Sequence, residues 1–454
     1  MRRPFLAAAA AAALIPAGSA TAQLGSFNPE PGPQATVVIQ NARIVPVSGA
    51  VIPNGSIVIA DGRIQAIGAN VTVPAGAQVI DARGLSVYPG MMDAATSMGL
   101  LEIEQGANAT VDNAETGRFN PNVQAIWGIN PHSAHIGVTR VVGVTHVISR
   151  PSGGIVSGQA ALINLAGYTA PAMAVVPRMA MVMQLPSAGG GGGGFGGGGF
   201  GGGGGGGGGN AQAARTAAID SLERLLDDAA AYGRAMEAAA RDATLPRPTT
   251  DIILASLVPA VRGEMPVMFP AESQADIRAA VEFAEKHHLK PIIVGGRDAW
   301  RMTDFLKEHD VPVVFSRTMA LPSRDDDHYD AMYSAPARLA AAGVRFAIAS
   351  GEADPDVRNL PYVAGMAAAF GLDRDAALRA VTLAPAEIFG VADRLGSLEV
   401  GKVANLVVTD GDLLEARTNT RYLFIDGRNV PLNTKHSELY DTFKDRKQAA
   451  NPKT

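Results

Sequence analysis

"MPVMFPAESQADIRAAVEFAEKHHLKPIIVGG", residues 265–296, holds a compact apolar run, a helical pattern and a second compact apolar run. The runs are short and β-branched, as strands buried in a parallel sheet should be, and the helix between them makes the crossover. The same texture recurs in "GVTRVVGVTHVIS", "VPVVFS" and "VRFAIAS", with "DAWRMTDFLKEH" and "APARLAAAG" as intervening helices. Strand–helix units repeated over about 300 residues predict an α/β chain with a (β/α)8 TIM-like barrel, in preference to an open doubly wound sheet.

Working outward, both ends of the chain change character. "ATVVIQNARIVPV", "GSIVIADGRIQAIG" and "AQVIDARGLSVYPG" are β-type runs punctuated by turns such as Asp61-Gly62, and the pattern returns in "VANLVVTDGDLL" and "RYLFIDGRNV". Residues 23–88 and 395–432 are therefore expected to build one small composite β domain around a barrel of residues 89–394. A glycine-rich insertion (186–210) interrupts the barrel, and 433–454 form a tail. Between Gly189 and Gly209 only Phe195 and Phe200 are not glycine. The tract lacks the Lys and Ser/Thr companions of a phosphate loop and reads as a flexible insertion. The helix that follows, Ala211–Ala240, carries Ile219, Leu222, Leu226 and Ala229 on one stripe suited to core packing.

Composition narrows the function classes. The 454 residues carry a net charge of −5 and no basic block, which argues against nucleic acid as a partner. Arg2 and Arg3, the apolar run Phe5–Ile15 and the small triplet Ala20-Thr21-Ala22 form a signal-peptide pattern over residues 1–22. Cleavage after Ala22 would export the chain to the periplasm or beyond, and no membrane anchor is expected, because the apolar run is too short to span a bilayer. There is no cysteine, hence no disulfide and no thiolate ligand.

Three stretches, "YPGMMDAATSMG", "GVTRVVGVTHV" and "ALRAVTLAPAEIFGVADRLGSLEVGKVANLVV", resemble the amidohydrolase superfamily, in particular its imidazolonepropionase-like and prolidase-like exported members. The resemblance implies a (β/α)8 barrel with a composite β-sandwich domain. It also implies a hydrolase of C–N bonds in peptide-like or cyclic amide substrates, with one or two divalent ions at the C-terminal mouth. In such sites the metal lowers the pKa of bound water from about 15.7 to about 7, worth on the order of 12 kcal/mol toward hydroxide.

Position by position the implied ligands are missing. The His-x-His pair falls on Ala95 and Ser97, the next histidine near Pro270 or Glu272, the next near Gly295, and the aspartate on Glu352. No lysine precedes Lys286, so no carboxylated lysine comes from the early strands. Glu102 and Glu104 are carboxylates without imidazoles, a poor zinc set. The eight histidines sit elsewhere, among them His132 and His135 ahead of a strand, His146 within one as a wall residue, His287, His288 and His309 at helix C-termini, and His328 in an acidic loop. The expectation is therefore no metal and no other cofactor.

By family position the mouth would hold Asp93, Glu272, Arg297, Glu352, Asp354 and Arg358. Asp93 and Glu352 form the candidate acid/base pair, on strands that adjoin in a closed barrel. Glu272, Arg297 and Arg358 are candidate substrate-binding residues, the arginines suited to a carboxylate. The alternative is a salt-bridge network filling the space of the metals. Two functions follow. One is an amidohydrolase-type hydrolase. The other is a non-catalytic exported paralogue that binds a small amide or peptide-like ligand, forms a homo-oligomer, or pairs with an active amidohydrolase. "RPSGGIVSGQAALINLAG" (150–167) resembles a loop of the exported subgroup, with glycines that suggest close backbone approach.

Overall fold

The computed structural model describes residues 32–103, 110–187, 208–351 and 354–445. The expected leader, most of the glycine tract, Glu104 and Glu352 lie outside them.

Strands from both termini build one eight-stranded sheet: β1 (Val37–Ile44), β2 (Ile52–Ala60), β3 (Arg63–Gly68), β4 (Gln78–Asp81) and β5 (Ser86–Pro89) from the first segment. The C-terminal segment adds β14 (Leu406–Thr409), β15 (Thr420–Ile425) and β16 (Arg428–Asn429). Their order is β16-β15-β14-β5-β1-β2-β3, with β4 also on β1. The first half of β1 pairs with β4 and its second half with β5. Between the halves Asn41 takes φ 59° and the register with β2 shifts, so the sheet bends there. The bend wraps it round a core that includes Ile39, Ile57, Val87, Leu406 and Phe424.

The barrel strands follow in chain order: β6 (Met91–Thr96), β7 (Val144–Ser149), β8 (Val156–Asn164), β9 (Ala174–Met183), β10 (Val267–Ala271), β11 (Pro291–Gly295), β12 (Val313–Phe315) and β13 (Phe346–Ile348). The expected alternation holds from β9 to β13, where every pairing is parallel. It fails at β8, which runs antiparallel to both β7 and β9. The stretch read as a loop, 150–167, is thus mostly a buried strand. Its direction follows from the connections 150–155 and 165–173, both shorter than the dozen or so residues that a parallel return needs. The expectation of close approach does hold: a Cβ on Gly158 would lie 2.7 Å from the Val123 carbonyl oxygen.

Between β10 and β11, α5 (Gln274–Lys286) starts where the Ser273 hydroxyl accepts from the Asp276 N–H. It buries Ile277, Ala280, Val281 and Ala284, one stripe at helical spacing. The long helix α3 (Gly208–Arg241) packs on α4 (Ile252–Val261), and Leu222, Leu226 and Ala229 join the core as their spacing predicts. The closing helix α10 (Leu383–Ile388) and the residues after it bring Ala386, Phe389, Val391 and Leu395 into one apolar cluster with Met92, Ile148, Leu162 and Val294. The barrel is filled, not hollow.

Among the described residues no ladder joins β13 to β6. The seam is spanned by a side chain: the Asp93 carboxylate accepts from the Ser350 N–H at 3.0 Å and from its hydroxyl.

Candidate functional site at the barrel mouth

Ala95, Ser97, Glu272, Gly295, Arg297, Arg317 and Ser350 all lie at or just after the C-terminal ends of barrel strands. Ala95 is 1% exposed and packs into the apolar cluster, so the first ligand position is core. Gly295, where a later ligand is expected, has φ +95°, and a Cβ there would come within 2.5 Å of Glu272 Oε1. The Glu272 carboxylate thus occupies the space of a side chain at 295.

It is held there on both oxygens. Arg317 donates to Oε1 from Nε at 2.8 Å and from Nη2, and the Arg297 backbone N–H donates to Oε2 at 3.1 Å. Arg317 follows β12, beside β11, and the Gly295↔Phe315 register sets it within reach. Sequence reasoning missed this arginine. The only signal was its place, directly after the run "VPVVFS". Arg297 is half-buried, and its Nε has no hydrogen-bond partner among the described residues. Arg358 lies exposed in the 3-10 turn Asp354–Asn359, without an ion pair among the described residues.

Asp93 is fully buried beneath the mouth, not open to it. Oδ1 accepts from the Ala95 N–H at 3.2 Å and Oδ2 from Ser350. Burial pushes its pKa up from 3.8 to about 6, against the pull of these hydrogen bonds. The strands of the candidate acid/base pair, β6 and β13, face each other across the unpaired seam, but Glu352 itself lies outside the described residues, and so do the contacts of the Asp354 side chain.

The histidines add no ligand set. His146 lies on β7 between Met92 of β6 and Asn164 of β8, and burial pushes its pKa down to about 3, so the ring is neutral. His135 contacts the Glu102 carbonyl, His309 meets Glu285 and the exposed His328 meets Asp330. Glu102 Oε1 accepts from the Ala134 N–H at the start of α1 (Ala134–Arg140). Among the described residues no three His, Cys, Asp or Glu side chains converge in a metal-binding group. An alanine, a glycine and a glutamate already bound by arginine do not fit a catalytic divalent ion, which takes three protein ligands and an open position.

The model of the amidohydrolase family matches residues 265–444. The amidohydrolase resemblance stands. An amidohydrolase from Thermotoga maritima superposes with a TM-score of 0.75 at 23% identity, covering 87% of this chain and 99% of the other. A prolidase complexed with N-methylphosphonate-L-proline gives 0.52 at 18% identity, with coverage of 87% and 99%. A molinate hydrolase gives 0.51 at 16%, with coverage of 88% and 95%. At these identities the likeness is one of fold. No curated protein sequence matches the chain. The fold these structures share, a TIM-like barrel with a separate β sheet, is thus the fold of this chain.

Proposed function

We propose that this chain is an exported amidohydrolase relative that binds a peptide-like or cyclic amide ligand at its barrel mouth without metal-assisted hydrolysis. One observation carries the reading: the Glu272–Arg317 pair stands where Gly295 leaves room for a ligand side chain. An ion pair filling that volume stabilises the mouth without a cation and withdraws Glu272 from both metal and substrate. Arg297, with its unpartnered Nε, remains to take a ligand carboxylate, and Arg358 stands on the neighbouring rim. The superposed prolidase complex makes proline-containing dipeptides the first probes. The signal-peptide pattern of residues 1–22 supports export to the periplasm or beyond, where the protein would act free or paired with an active paralogue.

A second reading, metal-independent C–N hydrolysis, is favoured by the proton affinity of Asp93 near pH 6. It requires the seam at Ser350 to open so that Asp93 and Glu352 act as acid and base. The test is elemental analysis of the purified mature protein, with calorimetric titration and hydrolysis assays on prolyl dipeptides. Less than about one tenth of an equivalent of Zn, Mn, Fe, Ni or Co, with binding but no turnover, is expected. Binding should be lost in Arg297→Ala. Stoichiometric metal that survives dialysis, with chelator-sensitive hydrolysis, would overturn the reading. Metal-free turnover abolished by Asp93→Asn would establish the second.

A further inference from the structure

The sequence uses one tripeptide at both ends of the composite sheet: Asp61-Gly62-Arg63 and Asp426-Gly427-Arg428. Each makes a tight turn between antiparallel strands, with the aspartates at φ 51° and the glycines at 75° and 71°. The turns lie against each other so closely that a Cβ on Gly427 would come 2.7 Å from the Gly62 Cα. Ala404 joins them, donating its N–H to the Gly62 carbonyl and accepting from the Gly427 N–H.

The second turn is also fastened to the floor of the barrel. Because β8 runs antiparallel, its last residue, Asn164, lies at the end opposite the mouth. Asn164 Nδ2 donates to Asp426 Oδ2 at 2.7 Å, and Asn405 links Asn164 Oδ1 to the Asp426 N–H. Between the turns and the floor is a cavity of about 660 Å³, within the usual range of small-ligand sites. Its apolar wall includes Ala172, Val403, Ile425 and the ring of Tyr168.

The charges round this cavity form no salt bridge with one another among the described residues, although Arg428 draws on the Asp426 carboxylate through space. The side chains of Asp61 and Arg428 make no hydrogen bond or salt bridge among the described residues, and the Asn164 bond uses only Oδ2 of Asp426. Arg63 spends one nitrogen on the Gly401 carbonyl. Elsewhere arginines pair directly, as Arg374 does with Asp412 and Glu415. Here two rigid turns hold two carboxylates and two guanidiniums apart around an open space.

We infer that this floor cavity is a binding site for a small zwitterion, a free amino acid or dipeptide. Its ammonium lies toward Asp61 and Asp426, its carboxylate toward Arg428 and Arg63, and its aliphatic side chain on the apolar wall. The site is separate from the mouth and does not depend on the function proposed there.

Calorimetric titration of the purified full chain with L-leucine and glycyl-L-leucine tests it, with N-acetyl-L-leucine and leucine methyl ester as single-charge controls. Saturable binding of at least one zwitterion is expected. Each control should bind at least tenfold more weakly, as should the zwitterion to Arg428→Ala and Asp61→Asn, which is about 1.4 kcal/mol each. Asp61 is exposed, so that variant keeps the test alive if changes at 428 disturb folding. No binding by the wild-type chain overturns the inference. So does binding that survives both variants, or binding that Arg297→Ala abolishes while both floor variants retain it, which would place the ligand at the mouth.

Discussion

The two ends of the barrel handle charge in opposite ways. At the mouth, Glu272 and Arg317 are drawn into direct contact and fill the volume beside Gly295. At the floor, Asp61, Arg63, Asp426 and Arg428 surround a cavity of about 660 Å³ without a salt bridge among the described residues. The difference comes from what carries the side chains. Glu272 and Arg317 extend from the ends of β10 and β12, which flank Gly295 on β11 and meet across it, whereas the floor residues sit on turns fixed by their glycines. A charge pair that closes space is a packing element, and its removal should be felt in stability. Charges kept apart round open space should be felt in binding.

The strongest way to break this contrast is Gly295→Ala. At φ +95° an L side chain costs roughly 1–2 kcal/mol. The new Cβ also displaces the Glu272 carboxylate from Arg317, so the total should be about 3–4 kcal/mol. In a Glu272→Ala background the collision disappears and only the backbone strain remains. Denaturant unfolding of the four proteins in that cycle should give a coupling of about 2 kcal/mol. Additive effects would mean that Glu272 does not occupy the space beside 295.

Next in size is the pH dependence of the seam. The folded-state pKa of Asp93, about 6, lies above its ordinary 3.8, so the folded protein holds this proton more tightly than the unfolded chain does. Its contribution is therefore most favourable below about pH 4 and is lost as pH rises through about 6, a span on the order of 3 kcal/mol. The exposed Asp356 nearby acts in the same direction, by repulsion. In unfolding measured from pH 4 to 7, Asp93→Asn should flatten this component relative to wild type. An unchanged pH slope in the variant would show that Asp93 is not the group responsible.

Arg317→Ala comes third. It leaves the Glu272 carboxylate, 28% exposed, with only the Arg297 N–H. A fully buried orphan would cost about 3–5 kcal/mol, and partial exposure reduces this to about 2. Thermal unfolding at constant pH reads it, and Arg317→Lys should recover only part, because the two-nitrogen contact on Oε1 is lost.

The segment 265–296 was legible because its signals are local: β-branched runs of strand length separated by one amphipathic turn pattern. The composite sheet was legible at its Asp-Gly turns for the same reason. β8 was not, since Gly158 and the small residues of "IVSGQAALIN" mask a strand buried on both faces, and its direction is set by the length of the connections and not by its own residues. At the site, Ala95 and Gly295 could be read from their places at the strand ends, and Glu272 from its place just after one. The arginine that binds Glu272 could not, because the contact depends on the β11–β12 register. Nor could the burial of Asp93, which Ser350 reaches from 257 residues away across the seam. Contacts of that kind exist only after the barrel has curled.

The smallest expected effect sharpens the contrast from the other end. If the floor charges are not packing elements, Arg428→Ala should change stability by no more than about 0.5 kcal/mol, the range of an ordinary surface substitution. Arg428 is half-buried and its side chain donates no hydrogen bond among the described residues, so truncation removes only a through-space attraction for Asp426. Its nearest opposite charge, Asp426, keeps the bond from Asn164 that fastens the turn. The same substitution should weaken zwitterion binding at least tenfold, which separates a residue kept for a ligand from one kept for the fold. A melting temperature that falls as far as in Arg317→Ala, by roughly 2–4 °C per kcal/mol for a chain of this size or somewhat less, would place Arg428 among the packing elements. The two ends of the barrel would then differ only in how tightly their charges are paired.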